Sequence, residues 1–334
     1  MSVNRIVSLA GTVAIAACVM TSCKKATGSG SGSGSGTKPG TVIAVISKGT
    51  THSFWKSVER GAKAAAKDNG VDIVWKGPMI ENDRAGQIGL FQRFVSEGVA
   101  GIVLAPLDSH ALVDPVKSAM DKKIPVVIFD SGLEGTPGVD FASFVATDNY
   151  AGGLEGGRYL AQLMKNKGNA VLLRYIEGSA STTEREQGFL DAMKENPNIT
   201  VISSEQYGGA TSSLAKDKAM QMLDKLNEAD GVFCPNESTT HGMLLALRDS
   251  GLTETKTKFV GFDAADVLID ALKSGAIHGL VAQNPYKMGY TGVDTMVKVL
   301  NNQKVEARID TGFKLITKSN MDTSEAREFL KGNQ

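Results

Sequence analysis

The chain has 334 residues, enough for two domains of ordinary size. Its 42% hydrophobic and 22% charged content describes an ordinary soluble globular protein. Lys plus Arg equals Asp plus Glu at 36 each, which leaves no electrostatic case for nucleic acid as a partner. The four histidines, at 52, 110, 241 and 278, form no metal-ligand spacing, and neither a metal nor another cofactor is expected.

The chain opens on a targeting segment. Arg5 supplies a short positive region, Ile6 to Met20 an apolar run, and Met20-Thr21-Ser22-Cys23 a small-residue cleavage site ending in cysteine. About fifteen apolar residues are too few for a comfortable transmembrane helix and suit a signal peptide. The segment resembles a bacterial lipoprotein signal, with residues 1–22 removed and Cys23 lipidated, although Met20 stands where Leu is more usual. Cys234 is then the one thiol of the mature domain, so no internal disulfide is expected. At the end of the apolar run GVF it reads as a small core residue rather than a nucleophile. Residues 23–40 are Gly/Ser-rich with nothing able to pack, a flexible tether. A lipid at one end and a folded body at the other describe a protein anchored to the membrane in the periplasm or cell envelope, not one spanning it.

From Val42 onward, short apolar runs alternate with helical patterns. VIAVI (42–46) is a buried strand, followed by a polar loop and a helix over 53–69 with Ser53 as its N-cap. VDIVW, a helix over 83–97, GIVLAP, a helix over 109–122 and IPVVIFD follow. A glycine- and proline-containing loop from Ser131 to Asp140 interrupts the series before FASFVATDN. The alternation restarts with helices at 149–165, 183–195, 211–227, 238–250 and 264–273, separated by AVLLRY, a strand at 199–203, GVFCP, KFVGFD and HGLVAQ. A helix at 285–300, a strand near 313–317 and a short terminal helix complete the chain. Strands alternating with helices of this length mean βαβ units and parallel sheets. The expected fold is α/β, two doubly wound units with a crevice between them. In open parallel sheets ligands bind beyond the carboxyl ends of the strands.

The strand ends carry polar residues of one type. IPVVIF ends in Asp130, GVFCP in Asn236, KFVGF in Asp263 and HGLVA in Gln283, while His52, Phe54 and Trp55 follow the first strand. Any one of these acids or amides, taken alone, reads first as a helix cap or turn former, and a lid on the core is an alternative reading for Phe54 more than for Trp55. Four polar residues and two aromatics converging on one crevice instead suit a neutral polyhydroxyl ligand: Asp accepts adjacent hydroxyl protons, amides donate and accept, and a flat ring covers the C–H face. A phosphorylated ligand calls for a glycine-rich phosphate loop, and no GxxxxGK[ST] is present. The glycines of GGLEGG (152–157) fall inside a helix, where they permit close packing.

At these residues the chain resembles a periplasmic sugar-binding protein of the ribose-binding type, the soluble receptor of an ABC importer. The resemblance is carried by the TTHSFW loop, IFD at 128–130, EREQGF at 184–189, PNE at 235–237, GFD at 261–263 and AQNP at 282–285. It implies two lobes joined by a three-strand hinge crossing near Thr147, Asn284 and Gly312, with lobes of 41–147 plus 284–312 and 148–283 plus 313–334. It implies sugar contacts from His52, Phe54, Trp55, Asp130, Thr183, Arg185, Asn236, Asp263 and Gln283, action as a monomer, and a permease in the inner membrane as partner. Ribose binders carry arginines where this chain has Ser131 and Thr183, which leaves fewer donors and argues for a sugar or polyol other than ribose.

Other readings meet obstacles. No GxSxG, HExxH or dinucleotide fingerprint appears in its proper context, so no enzyme is expected; Asp130 and Asp263 as the acid and base of a glycosidase is the one catalytic alternative. A transcription regulator on the same fold is opposed by the lipoprotein signal and by the lack of an N-terminal helix-turn-helix sequence. A receptor that presents sugar to a chemoreceptor or sensor kinase stays open beside transport.

Overall fold

The computed structural model describes residues 40–252 and 257–332. The expected signal peptide, Cys23 and nearly all of the tether lie outside them. The first sheet contains β1 (Val42–Ile46), β2 (Asp72–Lys76), β3 (Gly101–Leu104), β4 (Val126–Phe129), β5 (Ser143–Ala146) and β11 (Arg308–Asp310). The second contains β6 (Gly168–Arg174), β7 (Ile199–Tyr207), β8 (Gly231–Phe233), β9 (Lys258–Phe262), β10 (Gly279–Gln283) and β12 (Phe313–Ile316). The strand orders are β2-β1-β3-β4-β5-β11 and β7-β6-β8-β9-β10-β12, the same pattern twice. Every pairing is parallel except β10 with β12. The chain passes between the sheets at residues 147–148, 284 and 311–312. These crossings lie together: Thr311 N donates to Ala146 O at 3.1 Å, and Thr147 Oγ1 to Gln283 Oε1 at 2.9 Å.

Each sheet is covered on both faces, which is why its strands are continuously apolar rather than alternating. In the first lobe α1 (Ser53–Asn69) and α10 (Pro285–Leu300) cover one face, α2 (Arg84–Glu97) and α3 (Val113–Asp121) the other. In the second, α4 (Asn149–Leu163) and α5 (Ala180–Lys194) cover one face. The other takes α6 (Ser212–Gln221), α7 (Leu223–Glu228), α8 (Glu237–Asp249), α9 (Asp266–Ser274) and α11 (Ser324–Gly332). The α1–α10 and α4–α5 pairs approach backbone to backbone through glycine. A Cβ at Gly61 would strike the Tyr286 carbonyl, and one at Gly153 the Arg185 carbonyl. The glycines of GGLEGG therefore do pack closely, as their place inside a helix suggests. Cys234 is buried and free.

Boundaries move where side chains compete for the backbone. The helix expected from 109 begins at Val113, because the Asp108 carboxylate takes the N–H groups of His110 and Ala111 and holds a turn there. The helix expected over 183–195 starts three residues earlier, at Ala180. The helix expected over 211–227 breaks at Met222 into α6 and α7. β7 runs on to Tyr207, with register shifts against β6. β11 went unforeseen: its three residues, RID, carry too little apolar pattern to read as a strand.

Candidate functional site

The carboxyl ends of both sheets face one crevice, and each presents an aspartate in the same way. Asp130 follows β4 and Asp263 follows β9, the equivalent strand of the second sheet. Both adopt a left-handed backbone, at φ 63° and 70°. Both N–H groups donate to the neighbouring strand, Asp130 to Val145 O at 3.0 Å and Asp263 to Val281 O at 2.9 Å. Aspartate tolerates this conformation better than most residues, yet it costs energy, and such strain persists mainly where a site requires it. Both residues are only 4% exposed, and burial raises both carboxyls above their ordinary range, against Lys48 and Arg185 for Asp130 and chiefly Arg185 for Asp263.

Their surroundings differ. Asp263 is braced: Oδ1 accepts from Gln283 Nε2 and Oδ2 from the Glu237 N–H, each at 2.7 Å. The Asp130 carboxylate has Lys48 Nζ at 3.4 Å from Oδ2 and accepts no hydrogen bond within the described residues. Its oxygens open on the cavity; the one fully buried side-chain polar atom without a partner among the described residues is Asn149 Nδ2.

Between the aspartates lies a cavity of about 330 Å³, including its mouth. One wall is a polar cluster around Glu81, from the loop between β2 and α2. Glu81 Oε1 accepts from Trp55 Nε1 at 2.7 Å and from His52 Nδ1 at 2.6 Å, and Oε2 accepts from Tyr175 Oη at 2.9 Å. Burial disfavours charge on both members of the His52–Glu81 pair, but their mutual attraction and hydrogen bond win. His52 is raised to about 9 and Glu81 lowered to about 2. Trp55 meets Phe54 and Phe129 edge-on, with ring centroids 5.0 and 6.2 Å apart. Both Phe54 and Trp55 thus sit in the core and line the cavity, and the two readings of these aromatics are not exclusive.

The opposite wall is built on the second sheet. Arg185 lies over the Phe262 ring at 4.0 Å, with Nε donating to Asn149 Oδ1 and Nη1 to Pro235 O, both at 2.9 Å. Burial lowers its affinity for the proton, opposed by Asp263 and Asp130. Asn236 caps α8: Oδ1 accepts from Thr239 N at 3.2 Å and Thr239 Oγ1 at 2.6 Å. Several bonds join the lobes. Glu237 accepts from the N–H groups of Ser53 and Phe54, at 3.1 and 3.0 Å, and so caps α1 from the other lobe. Ser53, read as the cap of α1, instead lies in its first turn, and His52 at the cap position makes no capping bond. Tyr175 reaches Glu81, Lys48 reaches Ser179 and Ser181, and the Ser181 N–H reaches Ser131 Oγ.

Of the residues singled out in the sequence, His52, Phe54, Trp55, Asp130, Arg185, Asn236, Asp263 and Gln283 line this one cavity. Thr183 does not. It is exposed on α5, and its neighbours Ser181 and Thr182 line the cavity instead, because a helix turns about 100° per residue. Cys23 lies outside the described residues. Lys48, Glu81, Tyr175, Ser181, Thr182 and Glu237 also line the cavity and were not anticipated. Tyr175 directly follows β6, so the strand-end rule applied to every strand would have found it; Glu237 lies one residue past Asn236, beyond the reach of that rule. Among the described residues no group of three or more His, Cys, Asp or Glu is placed to hold a metal ion. No described helix is long and apolar enough to cross a membrane.

A sequence model of the periplasmic binding protein domain matches residues 43–304. A ribose import binding protein of Haemophilus influenzae is 28% identical over 275 residues, covering 82% of this chain and 91% of its own. An ABC transporter solute binding protein from Agrobacterium vitis, solved with bound D-fucose, superposes with a TM-score of 0.83 at 35% identity, covering 86% of this chain and 99% of that one. A carbohydrate transporter solute binding protein from Agrobacterium radiobacter, in complex with D-arabinose, gives 0.83 at 34% identity, covering 88% of this chain and 100% of that one.

Proposed function

The chain belongs to the periplasmic binding protein domain family, and from that premise we propose that it captures a monosaccharide or polyol between its two lobes. In this reading it is an extracytoplasmic lipoprotein, tethered through Cys23, that hands its ligand to an ABC-type importer in the membrane. The observation that carries the ligand class is the Asp130 carboxylate, which faces the cavity with Lys48 Nζ at 3.4 Å as its ion-pair partner and accepts no hydrogen bond within the described residues. A pair of vicinal hydroxyls supplies the two donors such a group lacks. Asp263, held rigid by Gln283 and the Glu237 N–H, offers a second acceptor from the other lobe. The Arg185 guanidinium supplies a donor, and the Trp55 and Phe54 rings an apolar wall. Relatives solved with D-fucose and D-arabinose support a neutral sugar.

The test is calorimetry and thermal melting across pentoses, hexoses and polyols. A ligand with a dissociation constant near 1 μM, present at millimolar concentration, stabilises the fold by about 4 kcal/mol. Asp130→Ala and Asp263→Ala each remove charge-assisted bonds worth roughly 1.5–3 kcal/mol, a tenfold to hundredfold loss of affinity. No melting shift with any member of the panel, or binding that survives both substitutions unchanged, defeats the reading. For the anchor, Cys23→Ala expressed in the native host leaves the precursor unprocessed; a soluble wild-type protein beginning at another residue defeats that part.

A further inference from the structure

Lys48 has a role that the capture of a sugar does not by itself require. It stands in the loop between β1 and α1, buried at 3% exposure, and belongs to the first lobe. Its ammonium group donates at 3.1 Å to Ser179 Oγ and at 3.1 Å to Ser181 Oγ, both at the start of α5 in the second lobe. Its third neighbour is Asp130 Oδ2, at an ion-pair distance of 3.4 Å. Left to itself, a lysine beside a buried carboxylate closes to hydrogen-bonding distance and occupies an acceptor site. Here two hydroxyls across the cleft hold it back.

We infer that Lys48 is the positioning cation of this site: Ser179 and Ser181 bolt it to the second lobe on closure, so that it balances the Asp130 charge while leaving both carboxylate oxygens to the ligand. This rests on the sugar-capture reading for what Asp130 does, but the bolt itself is a property of the protein alone. In an open molecule Ser179 and Ser181 leave with the second lobe, and Lys48 falls back on Asp130. Closure therefore exposes the acceptor at the moment the ligand is enclosed, and only the closed state gains the two cross-cleft bonds. The position also bears on Ser131, where the ribose-binding type carries arginine: the Ser131 hydroxyl accepts the Ser181 N–H at 3.2 Å, and Lys48 brings in the cation from the loop after β1.

Ser179→Ala is the sharpest probe, because Ser179 is buried and does not line the cavity. The first arm needs no sugar. Amide exchange is followed at Ser53, Phe54 and Ser181, whose N–H groups donate across the cleft, with Val171 in the core of the second sheet as control. Lys48→Met and Ser179→Ala are expected to speed exchange at the three cross-cleft amides roughly tenfold, leaving Val171 unchanged. Unchanged rates at the cross-cleft amides in both variants overturn the inference, whatever the wild type binds. The second arm uses the best sugar of the panel in stopped flow. Ser179→Ala is expected to raise the dissociation rate about tenfold, hold association within about twofold and preserve the order of preference among sugars. An altered order of preference, or an unchanged dissociation rate, overturns it, since the first makes Lys48 a ligand contact and the second makes its bonds idle. Failure of every sugar to bind wild type, with cross-cleft exchange still accelerated in the variants, refutes the sugar reading and leaves the bolt standing.

Discussion

The buried His52–Glu81 pair ties stability to pH in a defined direction. His52 is raised from 6.5 to about 9, so its contribution is fully present below about pH 6.5 and is lost as pH rises through about 9. Glu81 is lowered from 4.5 to about 2, so its contribution is present above about pH 4.5 and is lost as pH falls through about 2. The pair therefore stabilises most between about pH 4.5 and 6.5. Melting curves of wild type and His52→Gln are expected to differ most in that window and to converge as the pH approaches 9; a difference that grows toward alkaline pH contradicts the assignment. At this scale the sequence was legible where a polar residue directly ends a buried strand, as Asp130 and Asp263 do. Glu81 was hidden because it stands five residues beyond β2, where no pattern marks which loop residue turns inward. Lys48 was hidden for a related reason: a lysine in a polar loop reads as solvated, and only its distant partners Ser179 and Ser181 make it internal.

Among the elements, α8 shows how one residue serves structure and site together. Asn236, taken alone, reads from sequence first as a helix cap and then as a ligand amide, and its Oδ1 is committed to Thr239. Asn236→Ala is expected to lower unfolding stability by about 1 kcal/mol in urea titrations, the usual loss for an N-cap. Asn236→Asp keeps a good cap and retains that stability, yet sets another carboxylate beside Asp263 and Glu237, so its sugar affinity falls. If alanine costs nothing in urea, the cap is not what holds α8 in place. The continuous apolar strands and their alternation with helices were legible because both sheets are covered on two faces. The α6–α7 break and β11 were not, because a local turn and a three-residue edge strand leave no periodicity to read. α5 was read three residues short, and Thr183, named from the resemblance alone, lies outside the cavity that Ser181 and Thr182 line.

For the whole molecule, three chain crossings beside one edge of each sheet and a set of cross-cleft bonds opposite describe two bodies able to part about that edge. Those bonds favour the closed arrangement, and a ligand touching both lobes adds to them. Small-angle scattering is expected to show a smaller radius of gyration with saturating sugar than without. Lys48→Met is expected to be the more open protein without sugar. Identical scattering curves with and without a ligand proven to bind would mean that the lobes do not part.

The crossings have another effect, felt before the molecule is finished. β1 to β5 are complete by residue 146, but α10, which lays Met288, Val293, Met296 and Val297 over the face that α1 shares, begins at residue 285, and β11 follows at 308. At about 5–20 residues per second, a ribosome leaves roughly 7 to 28 seconds between the last of those strands and the helix that covers them. Throughout that interval one apolar face of the first sheet is only half roofed, so the lobe cannot settle into its native packing while it is being made. The chain order thus acts as a timer. It delays native packing of the first lobe until almost all of the chain has been synthesised.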